Sequence, residues 1–338
     1  MPTTFPQTIA STTGESIAPI STLSAAPRPT RRYYGDRIYR WLLTCLAMTL
    51  PLLLVTIVAE LLVSAWPSIH KFGFSFIWTS VWDPVGEVYG AAPMIFGTLV
   101  SSLLALVIAV PLSLGVAIFL TEFAPKWLRQ PVAFLVELLA AIPSVVYGLW
   151  GIYVLIPLLR DYAAPPIRAL LGWTPLFSGV FYGNSMLAGG IILAIMIVPY
   201  IAAISREVLL AVPATQREAA LGLGATRWEA VWGAVLPYGR AGIIGAVMLG
   251  LGRALGETMA VTMVIGNRHD IALSLFQPGY TMAAAIANEF SEATSTMYIS
   301  ALFEVGLVLF VITIGVNAFA RLLVWRVARG TAVGSKAL

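Results

Sequence analysis

Six apolar runs, at about 41–66, 94–121, 132–158, 186–204, 240–265 and 299–324, are each long enough to cross a hydrocarbon core as a helix. Lipid offers the backbone no hydrogen-bond partner, so runs of this kind must satisfy their own N–H and C=O groups as helices. The expected fold class is therefore all-α, a polytopic membrane protein built as a six-transmembrane-helix bundle. Composition agrees, since 59% of residues are hydrophobic and 11% charged, against about a quarter charged in soluble domains. A membrane domain over 36–330 is expected, with cytoplasmic tails at 1–35 and 331–338. The first tail is rich in Thr, Ser, Pro and Ala without apolar period and reads as disordered. The first long apolar run comes only after it and exceeds a signal-peptide core, so it reads as an uncleaved anchor.

Net charge is +4, but the basic residues form no patch interleaved with aromatics, which argues against a nucleic-acid partner. They sort by side of the membrane. Arg28, Arg31, Arg32, Arg37, Arg40, Lys126, Arg129, Arg206, Arg217, Arg227, Arg240, Arg321, Arg326, Arg329 and Lys336 flank one set of loops. The opposite loops hold only Lys71, Arg160, Arg168 and Arg268, and 15 against 4 places both termini in the cytoplasm. Membrane lipid is thus the first expected partner.

Cys45 is the only cysteine, and His70 and His269, both in outer loops, are the only histidines. No cysteine cluster accompanies them, so no metal site is expected and both histidines read as exposed polar residues. The acids Glu60, Glu137 and Glu304 stand on separate spans without a His or Cys partner, which disfavours a membrane-bound enzyme. In the outer loop 67–93, Trp78, Trp82 and Tyr89 read as an interfacial aromatic belt. "MAAAIANEFSEA" in the third outer loop reads as a short amphipathic or re-entrant helix at the outer surface. Pro143 in "AIPSVVYGLWG" should kink the third span, leaving Ser144 and Tyr147 near the bend, either as packing or as lining of a pathway.

The fifth run carries two charges, Arg253 and Glu257, in "LGLGRALGETMAV". Counted from Arg240 at 1.5 Å per residue, Arg253 lies about 20 Å along the helix, near mid-bilayer. Glu257 is expected one turn further on the same face. An Arg there costs roughly 2.5–3.5 kcal/mol, so such residues usually face the bundle interior and mark a path. The structural alternative is an intrahelical ion pair at spacing four, in the less favourable Arg-then-Glu order. Gly250, Gly252 and Gly256 would allow close approach of a helix or substrate. A guanidinium suits an oxyanion such as phosphate. Glu257 would then either neutralise Arg253 in the empty site or accept a hydrogen bond from a protonated oxyanion.

The inner loop 205–237 contains "SREVLLAVPATQREAALGLGATRWEAVWGAVLP". Thr215 with Glu218 and Thr226 with Glu229 have capping-box spacing, implying two short helices separated at Gly222 and Gly224, with Pro237 ending the second or starting the next span. The first helix is too short to stand alone in water, so it must dock either on another protein or on this chain's own spans. No lysine is set in the Gly-Lys-Ser/Thr pattern of a phosphate-binding loop, so ATP hydrolysis is expected to belong to another chain.

Within this loop, Glu218, Ala219, Ala220, Gly224, Leu236 and Pro237 fall on the EAA signature of ABC-transporter permeases, with Ala234 where that pattern has Ile. Together with "GLGRALGETMAV" and "AIPSVVYG", the chain resembles the phosphate-specific subgroup of that family over 36–326, and its PstC subunits more than its PstA subunits. The resemblance implies the type I ABC importer permease fold and a subunit without an ATPase site or cofactor of its own. It further implies import of phosphate across a prokaryotic cytoplasmic membrane by alternating access. The partners implied are two copies of a nucleotide-binding ATPase subunit that holds ATP and magnesium, a second permease of the PstA kind, and an extracytoplasmic phosphate-binding protein. It assigns Arg253, Glu257 and Thr258, with Ser144 and Tyr147, to the substrate path, and the EAA residues to ATPase coupling. A permease for molybdate or sulfate would share the EAA loop. An anion channel would have no use for it.

Overall fold

The computed structural model describes residues 34–332; the expected tail up to residue 33 and residues 333–338 lie outside the described residues. Two units are distinguished, the second beginning at Val55. Helix α1 (Tyr34–Phe72) runs through both, and its described side chains up to Leu54 are all exposed, as suits a segment whose surroundings are lipid.

The second unit is built on α2 (Ala92–Ile118) and α5 (Met186–Leu210). Small residues recur every fourth position along α2, namely Gly97, Ser101, Ala105, Ala109, Ser113 and Ala117, and all are buried. Such a stripe lets two helices approach closely where no hydrophobic effect drives them together. Ser113 Oγ donates to the Val198 carbonyl across the contact at 3.1 Å, and a Cβ on Gly190 would lie 2.4 Å from Leu104 Cδ2. Helix α5 is the central element: two-thirds of its most apolar stretch is buried, against about a third or less in the other spans. Ile192, Leu193, Ile197 and Ile201 form its core face.

Among the described residues, six helices are long and apolar enough to cross a membrane: Arg37–Phe72, Ala92–Phe123, Ser144–Leu171, Met186–Leu210, Arg227–Leu255 and Thr296–Leu322. The third run departs from its expected bounds of 132–158. It is cut at Ala141–Pro143 into α3 (Lys126–Ala140) and α4 (Ser144–Trp150), and the membrane-length helix continues to Leu171. Pro143 has no N–H and holds an extended ψ of 141°, so the chain restarts at Ser144 rather than bending through it. Arg160 and Arg168, expected in a loop, therefore stand on the C-terminal part of this helix. The π-helical turns Gly151–Leu155 and Val231–Val235 each precede a proline, Pro157 and Pro237, which accommodates the missing donor without ending the helix.

Helix α6 (Ala214–Gly222) lies in the inner loop, and α7 (Leu236–Leu255), α8 (Met259–Ile265), α9 (Met282–Glu289) and α10 (Thr296–Ala332) complete the chain. Helix α9 does not lie on the surface as expected. Met282, Ala284 and Ala285 are fully buried, and Met282 N–H donates to Thr98 Oγ1 at 2.9 Å. Loops 67–93 and 266–298 are clamped by a mixed cluster that also corrects two sequence expectations. His269 is not a solvated loop histidine: its ring stacks on Trp82 at 5.7 Å, and its Nε2 lies 2.9 Å from Glu289 Oε1. Tyr298 OH donates to the other Glu289 oxygen at 2.9 Å. Tyr89, only 1% exposed, packs against Trp82 and Tyr298, so these aromatics serve the clamp, whereas Trp78 stays exposed. Under this aromatic cover the buried Glu289 carboxylate and the half-buried His269 imidazole satisfy each other. Burial, with Glu289 alongside, pushes the Tyr280 hydroxyl above the ordinary tyrosine range.

Candidate functional site: a broken helix at membrane depth

The fifth apolar run is not one helix. Helix α7 ends at Leu255, Gly256 caps it, Glu257 and Thr258 leave the helical ladder, and α8 restarts at Met259. Irregular backbone at membrane depth is tolerated only where protein buries it or it lines a water-filled cavity. The break also overturns the expected geometry of the charge pair: Glu257 is not one helical turn beyond Arg253 on a common face, and among the described residues no ion pair joins them. Arg253 stands in the last turn of α7, where the carbonyl end of the helix favours a cation. Glu257 stands just before α8, and its Oε1 accepts the Ala260 N–H at 3.4 Å, so it serves the donor end of the next helix. Thr258 Oγ1 donates to the Gly256 carbonyl at 3.2 Å, which satisfies an acceptor at the break, and Thr262 Oγ1 joins its own N–H on the Thr258 carbonyl at 2.7 Å.

Arg253 is held by a residue the sequence reading missed. Its Nη1 donates to Tyr200 OH at 3.2 Å, and the guanidinium lies 4.5 Å from the Tyr200 ring centroid. Arg253 Nε is buried without a hydrogen-bond partner, leaving a donor that an anion oxygen would satisfy. Tyr200 also lines a 350 Å³ cavity with Glu137, Ala140, Pro199 and Ala203, on the side where Glu137 Oε1 lies 4.0 Å from Arg206 Nη1. Tyr147 is buried, and its OH donates to the Leu139 carbonyl at 2.8 Å, which anchors α4 to the end of α3 across the cut. Ser144 opens α4. Gly148 lets α4 lie against α8, since a Cβ there would meet Met263 Sδ at 2.5 Å. Of the three glycines singled out in the fifth run, only Gly250 is closed in, by Ile201; Gly252 faces open space and Gly256 is barely touched.

Loop 205–237 is organised at its two ends. Thr226 and Glu229 form the expected capping box, with Glu229 Oε2 accepting the Thr226 N–H at 2.7 Å. Thr215 and Glu218 do not: α6 begins earlier, at Ala214, with Pro213 as its cap, so Thr215 lies inside the helix. Arg217 takes over the anchoring. It donates to the Val212 and Leu209 carbonyls, each at 2.7 Å, and pairs with Glu122 at 3.0 Å. No residue of α6 is buried. Glu218, Ala219 and Gly224 are exposed, and Ala220 is partly covered. Gly224 turns the chain with φ of 90°. Leu236 and Pro237 begin α7.

A membrane helix interrupted beside an arginine and an anchored, uncovered helix in loop 205–237 are the features to set beside known proteins. The family described as binding-protein-dependent transport system inner membrane component matches residues 109–329. A phosphate transport system permease protein PstC of Pasteurella multocida (strain Pm70) is 50% identical over 282 residues, covering 82% of this chain and 88% of its own length. The PstC protein of Xylella fastidiosa (strain 9a5c) is 45% identical over 318 residues, covering 93% and 98%. The chain belongs to the PstC permease family. A solved bacterial alginate ABC transporter, in complex with its alginate pentasaccharide-bound periplasmic protein, shares the fold, with a TM-score of 0.57 at 17% identity over 86% of this chain and 96% of the other.

Placed within that family, Arg253, Glu257 and Thr258 come together at the break. Tyr147 and Ser144 belong to the neighbouring α4. The EAA residues divide between exposed α6, the turn at Gly224 and the start of α7. Tyr200 and Arg217 escaped the sequence reading because each depends on a partner 53 or 95 residues away. The one available signal was that Tyr200 is a polar side chain in an otherwise apolar run; Arg217, among Thr215, Gln216 and Glu218, carried none.

Proposed function

We propose that the chain is one permease subunit of an ATP-driven importer that moves inorganic phosphate inward by alternating access. The observation that carries the reading is the broken fifth helix, which places Arg253, with an unsatisfied N–H, beside irregular backbone at membrane depth. Interrupted helices of this kind provide substrate sites near the bilayer midplane in transporters. The relatives named as phosphate transport system permeases support phosphate as the anion. Arg253 would receive an oxyanion through its open donor, Tyr200 would hold the guanidinium in place, and Glu257 would tune the site's charge. Helix α6, exposed along its length, would sit in a cleft of a separate nucleotide-binding subunit, two copies of which would bind ATP and magnesium. A PstA-type permease would complete the path, and an extracytoplasmic phosphate-binding protein would deliver the anion. Both termini would be cytoplasmic.

Uptake of radiolabelled phosphate into proteoliposomes carrying the assembled subunits tests the reading. Arg253→Ala should abolish uptake while leaving assembly with the ATPase intact, and excess sulfate or molybdate should not compete in the wild type. Full uptake by the variant would overturn the path role. Competition by sulfate would transfer the function to another oxyanion.

A further inference from the structure

A second feature lies away from that path. Near the end of α1 an apolar cavity of 410 Å³ opens between α1 and α10, lined by Ile69, Phe74, Ile77, Val308 and Ile312, with a single acid, Glu304. Glu304 is 6% exposed, yet its Oε2 has no hydrogen-bond partner. The helices beside it are held by serines: Ser68 N–H donates to Ser300 Oγ at 3.1 Å, and Ser300 Oγ donates to the Ser64 carbonyl at 2.9 Å. Ser68 Oγ, also buried, carries a hydroxyl donor for this carboxyl. One hydroxyl meets only one of the several acceptor sites of a carboxylate, and each buried acceptor left over costs about 1–3 kcal/mol, more where charged. The site therefore has room for a further donor.

We propose that this cavity binds a phospholipid whose headgroup ends in a primary ammonium. The lipid belongs to the leaflet on the side of loop 67–93, with an acyl chain along Ile69, Val308 and Ile312 and the ammonium donating to Glu304. The depth fits. Side chains on a helix lean toward its N-terminus, so Glu304 reaches back toward the level of Ser300 and Ser68. Ser68 is four residues, about 6 Å, from the end of α1. At that end Lys71 closes the helix, and Phe74 and Trp78 are 88% and 82% exposed, as residues at an interface are. The chemistry is complementary. The wall is apolar, as an acyl chain requires, and the only polar element is an acceptor set within a headgroup's reach. A choline headgroup has three methyl groups where the ammonium has N–H donors, so it cannot make the bond.

The test uses the full chain, assembled with its subunits and placed in nanodiscs containing equal phosphatidylethanolamine and phosphatidylcholine of identical acyl chains. Retained lipid is read by native mass spectrometry. One bond to a charged group predicts about tenfold enrichment of the ethanolamine lipid. Glu304→Gln should reduce that preference to near parity, and Val308→Trp, which fills the cavity, should remove both lipids. A photocrosslinking amino acid at position 308 should give a lipid adduct. Equal retention of the two lipids by the wild type would overturn the proposal without any variant, as would undiminished preference in Glu304→Gln. A crosslink to another polypeptide would show that a partner helix, not lipid, covers the cavity.

Discussion

Two charges at membrane depth are sustained because Arg253 and Glu257 each occupy the helix end whose dipole suits it, rather than neutralising each other along one helix. The cost of burial is met locally, which leaves the guanidinium available. Tyr200 decides how available it is. Tyr200→Phe keeps the ring under Arg253 and removes the hydroxyl that accepts from Nη1, a bond to a charged group of about 1.5–3 kcal/mol. Transport in proteoliposomes should lose apparent phosphate affinity by about tenfold or more for that amount of free energy. Tyr200→Leu, which removes the ring as well, should lose further, and unchanged kinetics in both would make Tyr200 a packing residue. For Glu257 the substitution to Gln retains an oxygen that can accept from Ala260 N–H but deletes the charge. If the carboxylate accepts a hydrogen bond from the protonated oxyanion, phosphate uptake in Glu257→Gln should fall and its discrimination against sulfate should narrow. If the carboxylate only balances Arg253 in the empty site, selectivity should hold.

At the scale of elements, the inner helix α6 has no buried residue and stays in place through Arg217, which joins it to two carbonyls at the end of α5 and to Glu122 beyond α2. Removing the guanidinium leaves the Val212 carbonyl and Glu122 without this donor, each at a cost of about 1–3 kcal/mol if water does not replace it, while the Leu209 carbonyl keeps the Val212 N–H. Arg217→Ala should therefore keep the membrane helices folded yet lower phosphate uptake per ATP hydrolysed, whereas Thr226→Ala, which loses a cap worth about 1 kcal/mol, should mainly lower the melting temperature. Measuring both ratios in one reconstituted preparation checks the contrast. The same elements show what a sequence discloses. Apolar runs announce spans because length and hydropathy are local properties, and Thr226 with Glu229 announces a helix start because a capping box is contained in four residues. The break at Gly256 was hidden, since a glycine within an apolar run also suits close helix packing, and no proline marks it. The cut at Pro143 was legible as a kink, but whether the chain bends or restarts depends on Tyr147 finding the Leu139 carbonyl. His269 looked solvated for the same reason: Trp82, Glu289 and Tyr280 reach it only once the loops are folded.

For the whole molecule, the sorting of 15 basic residues against 4 and the proposed roles of its two faces make one joint demand on orientation. If α6 meets an ATPase, it must be cytoplasmic, and the loop carrying His269 and Asp270 must then face outward. Cys45 is the only cysteine, so Cys45→Ser gives a background in which single reporters can be placed. Gln216 on α6 and Asp270 in the loop are both exposed, so cysteine at either position is open to a membrane-impermeant maleimide from its own side. In intact cells Asp270→Cys should label and Gln216→Cys should not; after permeabilisation both should label. Adding the ATPase subunits should then protect Gln216→Cys while leaving Asp270→Cys reactive. Labelling in the opposite order would reverse the orientation and remove the ground for an ATPase on α6. Correct order without protection would keep the topology and place the ATPase contact elsewhere on the inner face, where Leu223, Trp228 and Trp232 are also exposed.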